Sequence, residues 1–184
     1  MTVDRHGLLA KICGVMTLNN LTVSKAQIFT WSDGTVVDVI DVRSTDGLSF
    51  AEKDWERLND HLDLAIAHRM GLSHRLYTKL SSGLGRRKQI VGDVSSKVVI
   101  DNDASDVYTV VEVYAPDTLG QLYYVTQAMA DFGIDIHKAY IATEVEQLID
   151  VFYVLDAQGR KIDDKEFCKE ITQGILHAIG STGE

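Results

Sequence analysis

The chain is short of positive charge and of cysteine, and it holds no long apolar run. Against 27 aspartates and glutamates stand 18 lysines and arginines, a formal net charge of −9. A general nucleic-acid binder uses cations to replace counterions along the phosphates, so this balance argues against that class. Arg86-Arg87-Lys88, the one basic cluster, lies in the Ser/Gly-rich stretch Ser81 to Lys97 and reads as solvated linker rather than docking patch. Two cysteines, Cys13 and Cys168, sit far apart inside helical patterns, which fits half-buried thiols in a reducing compartment rather than a disulfide framework. No apolar run approaches the roughly 18 residues of a membrane helix, and the N-terminus has no basic-then-apolar signal pattern. The expectation is a cytoplasmic protein without nucleic-acid or membrane partners.

Catalytic signatures are missing as well. No Gly-Ser-x-x-x-Gly loop with paired aspartates is present to hold Mg²⁺ against a nucleotide, and no His-Asp dipeptide occurs. His61, His68 and His74 are spaced seven and six residues apart, without the i, i+4 pair that favours a helical metal site. Neither serine nor cysteine sits in a recognisable nucleophile turn. No catalytic residue, metal or cofactor is expected.

What the chain does have is an internal repeat. Asp4-Arg5-His6-Gly7-Leu8-Leu9 returns as Asp117-Thr118-Leu119-Gly120-Gln121-Leu122. The same register places Met16 on Met129, Lys25 on Lys138, Ala26 on Ala139 and Ile28 on Ile141. After one residue is dropped it places Asp38 on Asp150, Val42 on Val154 and Gly47 on Gly159. With 184 residues, two units of roughly 70 to 90 residues each follow, and units so small lean on one another or on a second chain.

In the first copy, Met1-Thr2-Val3 reads as the end of a strand, so this copy begins mid-strand: the chain is a fragment, or it borrows a strand. Leu9, Ile12, Cys13 and Met16 keep helical spacing over about 7–18, and Asn19-Asn20 supplies a turn. Thr22 to Trp31 alternates as a half-buried strand, Asp33-Gly34 signals a hairpin, and Val36 to Val42 returns. Ser49 with Glu52 predicts a capping box. It opens a long helix carrying Trp55, Leu58, Leu62 and Ile66, which can run past Gly71 towards Leu80. After a linker over about 81–96, Lys97 to Asp101 is expected to close the first unit, 1–101. The second unit, 107–184, repeats the order: strand 107–115, helix 119–132 stopped by Gly133, strands 135–143 and 148–155, and a helix over 164–179. It shows no obvious closing strand of its own.

The repeated loop ends a strand and opens a helix, where unpaired N–H groups and the positive end of the helix dipole face outward. Glycine there admits an anionic group such as an amino-acid carboxylate, or it serves only a tight turn. Asp4 and Asp117 either meet a ligand ammonium or bond the turn's own N–H groups. Asp38, Asp41 and Asp150 fall in strands where a solvated sheet face explains them; since Asp38 and Asp150 align, the alternative is that they line the interface between units.

Four stretches carry a family resemblance: Asp4-Arg5-His6-Gly7-Leu8-Leu9, Asp101-Asn102-Asp103-Ala104-Ser105, Asp135-Ile136-His137-Lys138-Ala139 and Asp150-Val151-Phe152-Tyr153-Val154. Together they resemble the C-terminal tandem ACT region of bacterial PII uridylyltransferase/uridylyl-removing enzymes. The resemblance implies an α+β fold of two ferredoxin-like (βαββαβ) ACT units, with antiparallel sheets backed by helices and the first strand of unit 1 truncated. It implies a non-catalytic sensor that binds an amino acid, glutamine, at ACT interfaces. In the full-length family this switches upstream nucleotidyltransferase and His-Asp hydrolase domains acting on the PII protein. The ligand-contact residues it nominates are Asp4, Arg5, His6, Gly7, Leu8 and Asn20 from the first copy, and Asp117, Thr118, Leu119, Gly120 and Gln121 from the second. His6 stands where the family has proline, and Thr118-Leu119 where it has Arg-Pro. A homodimer is expected. The rival reading is a stand-alone ACT-repeat module for dimerisation or protein interaction without a small-molecule ligand.

Overall fold

A computed structural model describes residues 2–3, 6–30, 35–45, 47–82, 96–144 and 147–180. The order of elements is β1 (Thr2–Val3), α1 (Leu8–Leu18), β2 (Leu21–Thr30), β3 (Thr35–Ser44), α2 (Glu52–Ile66), α3 (Leu72–Ser81), β4 (Lys97–Asp101), β5 (Thr109–Pro116), α4 (Gln121–Asp131), β6 (Asp135–Glu144), β7 (Gln147–Leu155) and α5 (Lys165–Gly180). The fold is α+β. Seven described strands make one antiparallel sheet in the order β1-β3-β2-β6-β7-β5-β4.

The middle of that sheet is the pairing of β2 with β6, which sets Ala26 against Ile141, Gln27 against Tyr140 and Ile28 against Ala139. Alternation along the strands decides which side is covered. Val23, Ala26, Ile28, Val111, Val113, Ala139, Ile141, Phe152 and Val154 are buried and join one core with Leu9, Cys13 and Val15 of α1, Val125 and Met129 of α4, and Ile171 and Ile175 of α5. Lys25, Gln27, Asp41 and Ala142 are exposed on the other side. That outer side also carries edge-to-face contacts of Tyr140 with Phe29 and Tyr153, and of Tyr153 with Tyr108. The helices α1 and α4 pack together over the central strands, and Gly14 sits at their crossing. A Cβ on Gly14 would lie 2.8 Å from both Leu72 Cδ2 and Tyr123 Cδ2.

Positions matched by the sequence repeat share backbone conformations. Gly7 and Gly120 precede α1 and α4 with φ 71° and 85°, Asn20 and Gly133 follow these helices with φ 62° and 71°, and Gly47 and Gly159 both have φ 73°. At Gly133 the N–H bonds Ala130 O, and Ile134 N–H bonds Met129 O, so the helix stops as expected there. Bulges interrupt the ladder at matched places too, between Val23 and Lys25 and between Ile136 and Lys138.

Several expectations are corrected. Lys97 to Asp101 does not close the first copy: β4 pairs with β5 along its whole length and ends the sheet on the second copy's side. The second copy therefore does have a fourth strand, supplied from before it in sequence, and a linear reading could not tell which neighbour would take it. The long helix is two helices, separated by a turn in which His68 takes φ 55° before Gly71. Helix α2 starts at Glu52 with Ala51 as its cap residue, and Asp54 Oδ2 accepts from Ala51 N–H at 3.0 Å in place of the Ser49/Glu52 box. Cys13 is fully buried rather than half-buried, whereas Cys168 is intermediate. The Asp33-Gly34 hairpin turn and most of the 81–96 linker lie outside the described residues. No helix among the described residues is long and apolar enough to cross a membrane.

Gly14→Ala is expected to cost about 1–3 kcal/mol, because Leu72 and Tyr123 hemmed in at the crossing must both move. Gly71→Ala is expected to be neutral or stabilising by up to about 1 kcal/mol, since a Cβ there would meet nothing within 4 Å. Urea midpoints of the two variants against the parent chain decide it.

Candidate functional site

Helices α1 and α4 run so that each helix start lies near the other's end. Gly7 is 3.6 Å from Ala130 Cβ, measured from the position its own Cβ would take, and Gly120 is likewise 3.5 Å from Thr17 Cγ2. Each repeated loop thus abuts the opposite copy. At the second loop this leaves a narrow cleft lined by Asp117, Thr118, Gly120, Gln121 and Leu122 on one side, by Cys13, Thr17, Leu21, Thr22 and Val23 on the other, and by Ile141 on the floor. Its volume is about 20 Å³, room for one water-sized group.

Gly120, the cap residue of α4, brings no side-chain cap; the Gln121 N–H bonds Thr118 O at 3.1 Å, and the positive end of the helix dipole faces the loop. Gln121 is buried, and its Oε1 accepts from Thr118 Oγ1 at 2.7 Å, which fixes both side chains across the helix start. Thr17 is buried as well and donates to Cys13 O at 2.9 Å.

Beside Ile141 in the sheet lies Asp150, which does not itself line the cleft. It stands opposite Ile141 on β6 and Val113 on β5, on the helix-covered side of the sheet, and exposes none of its surface. This corrects the solvated-face reading; Asp38 is only half-buried, although one of its carboxylate oxygens is shielded from solvent. Neither oxygen of Asp150 meets a hydrogen-bond partner of normal geometry. Burial first, and then the negative charge of Asp117, push its carboxyl up to about 8, while the Ala142 backbone N–H pulls the other way. The Cys13 thiol is pushed up for the same kinds of reason: burial, then the charges of Asp150 and Asp38. An inert thiol results.

Of the eleven residues nominated from sequence, the structure brings Asp117, Thr118, Gly120 and Gln121 together in the cleft, with Leu119 in the same turn but not lining it. His6, Gly7 and Leu8 lie at the other end of the α1/α4 pair, where His6 Nε2 is 2.7 Å from Ala130 O. Asn20 is exposed, its Oδ1 accepts from Lys79 Nζ, and it does not line the cleft. Asp4 and Arg5 lie outside the described residues. Sequence reasoning missed Cys13, Thr17, Leu21, Thr22, Val23, Leu122 and Ile141 as cleft residues. For Asp150 a signal existed in its alignment with Asp38.

Comparison with known proteins fits this geometry. Residues 104–181 match the model of the ACR family N-terminal ACT domain. This part of the chain is similar to an ACT domain. Loop 117–120, α4 and Asp150 all belong to it, whereas Cys13, Thr17 and Leu21 to Val23 come from the other half of the chain. Nearly the whole chain is similar to bifunctional uridylyltransferase/uridylyl-removing enzymes. Identity is 32% over 182 residues with the Gluconobacter oxydans enzyme, covering 98% of this chain and 19% of that one. It is 32% over 178 residues with the Azospirillum brasilense enzyme and 31% over 182 residues with that of Rhodospirillum rubrum, again covering 19% of each. The chain therefore spans about a fifth of the length of these relatives. No solved structure gives a significant match.

The buried carboxyl gives a pH signature. Unfolded, Asp150 ionises near the ordinary value of 3.8; folded, it keeps its proton up to about 8. Between these values the unfolded state binds fewer protons, so stability contributed by this group falls as pH rises, by about 1.4 kcal/mol per unit, and levels off above the folded value. Asp150→Asn removes the group, so its urea midpoint should decline less than the parent's between pH 5 and pH 8.

Proposed function

We propose that the chain is two ferredoxin-like ACT units, joined side by side through β2 and β6, and that it is the amino-acid-sensing C-terminal regulatory region of a PII uridylyltransferase/uridylyl-removing enzyme. The observation that carries this reading is the cleft between the two halves: the start of α4, with Gly120 as its cap residue, and the acidic side chain of Asp117 face α1 and β2 of the other half. A helix start suits a carboxylate, and Asp117 suits an ammonium, so an α-amino acid matches both ends. Glutamine is the proposed ligand, on the strength of the resemblance of the motifs. The boundaries proposed for the two units are those of the sequence repeat, with the 97–101 strand reassigned to the second.

A ligand at such a seam touches both units and favours whichever arrangement holds it best, which turns binding into control of attached domains. Those domains, the PII protein as their indirect partner, a homodimeric assembly and a cytoplasmic setting belong to the same proposal. The narrowness of the cleft favours one rival: an interaction module that binds protein and no small molecule.

Calorimetric titration with glutamine, with glutamate and asparagine as controls and assembly state followed in parallel, separates the two. Saturable, glutamine-selective heat is expected, and silence from a folded chain would favour the module. Gly120 is a poor probe, because any side chain at φ 85° strains the turn whatever binds. Asp117→Asn keeps size and removes charge, and it is expected to weaken glutamine binding about 10- to 100-fold.

A further inference from the structure

Asp150 is an orphan in either protonation state. Ionised, it needs donors; protonated, it has an O–H to donate; and among the described residues no hydrogen-bond partner of normal geometry reaches either oxygen. Burying a carboxyl in this way costs stability unless something completes it. The groups packed around it do not. Asp117, on the loop before α4, is of its own sign, and Cys13 of α1 is a neutral thiol. Its strand neighbours on β6 and β5 are Ile141 and Val113. Asp38, on β3, adds a further negative charge felt at Cys13. An ammonium group would bring this carboxyl both a positive charge and N–H donors, and the neighbouring cleft, with room for about 20 Å³, is of its size. A metal ion fits less well: no group of three His, Cys, Asp or Glu side chains comes together among the described residues.

We propose that Asp150 is the buried counter-ion for the ammonium group of the bound amino acid, which enters between Cys13 and Ile141 with Asp117 at the rim. This rests on the sensor reading above and adds to Asp117, the ammonium's partner there, a second and buried carboxyl. Of the two cleft residues that flank this path, Cys13 is small and Ile141 stands beside Asp150 in the ladder. The carboxylate end of the ligand is then left facing the α4 helix start.

Such pairing displaces a proton. Asp150 is largely protonated at pH 7 in the empty site. An incoming ammonium stabilises the carboxylate, so R–NH₃⁺ and Asp–COOH become the pair R–NH₃⁺···⁻OOC–Asp, and the carboxyl proton leaves to solvent. Binding releases a proton, and affinity rises with pH up to the carboxyl's own value, by about fivefold between pH 7 and pH 8.

The experiment is titration of the whole chain with glutamine at pH 7 in two buffers of different ionisation enthalpy, which counts protons released per ligand bound. About 0.9 proton is expected at pH 7, falling to about half a proton at pH 8. Asp150→Asn, checked for native circular dichroism, should bind at least tenfold more weakly and release none. The analogue of glutamine without its α-amino group should not bind the parent chain. Glutamine binding with no proton released, or with unchanged affinity in Asp150→Asn, overturns the counter-ion role and leaves the sensor reading standing. No binding of any amino acid overturns the sensor reading and this inference with it. The proton count on the parent chain needs no variant and so does not depend on how well Asp150→Asn folds.

Discussion

The pairing of β2 with β6 is the contact on which the rest of the structure depends. Five residues from each strand meet there, Lys25 to Phe29 against Lys138 to Ala142, and the ladder turns two half-sheets into one. Each half of the chain is short and would bury little apolar surface by itself, and the shared sheet and helix layer give both one core. Ala26, Ile28, Ala139 and Ile141 are small enough, or branched in the right way, to let α1 and α4 settle together over the seam. Gly14 allows the close approach of Tyr123 and Leu72 there.

That same packing makes the cleft. Because α1 and α4 lie head to tail, the start of α4 meets Thr17 at the end of α1, and a loop that is polar in its own unit acquires a wall from the other. Leu21 and Val23 are held in place by the β2 ladder, and Ile141 by β6. A site assembled across a seam responds to any shift of one half against the other. A site inside one unit would not.

Burial at the seam also carries an electrostatic cost. The acidic balance of the chain is mostly harmless on the surface, but Asp150 has been taken out of water within reach of the charge of Asp117, and among the described residues no cation offsets it. Hydrophobic residues of similar volume would suit that position better for stability alone. A buried polar group retained at a cleft is where function and stability pull apart.

The order of elements was legible in the sequence because periodicity reports local geometry. Helical spacing from Leu9 to Met16, alternation from Thr22, and glycine at 7, 120 and 133 all answer to the backbone of a few neighbouring residues. The repeat made the two loops visible as equivalents, and four of the second loop's five nominated residues do line one cleft. Tertiary packing decided what local pattern cannot carry. Lys97 to Asp101 took the free edge of β5, the strand that follows it directly in the chain, instead of closing the first copy. Whether Asp150 faced water or the core depended on which side of the strand the helices covered, since a period of two leaves both sides possible. And Cys13, Thr17 and Val23 became neighbours of residue 117 only because two strands far apart in sequence chose each other.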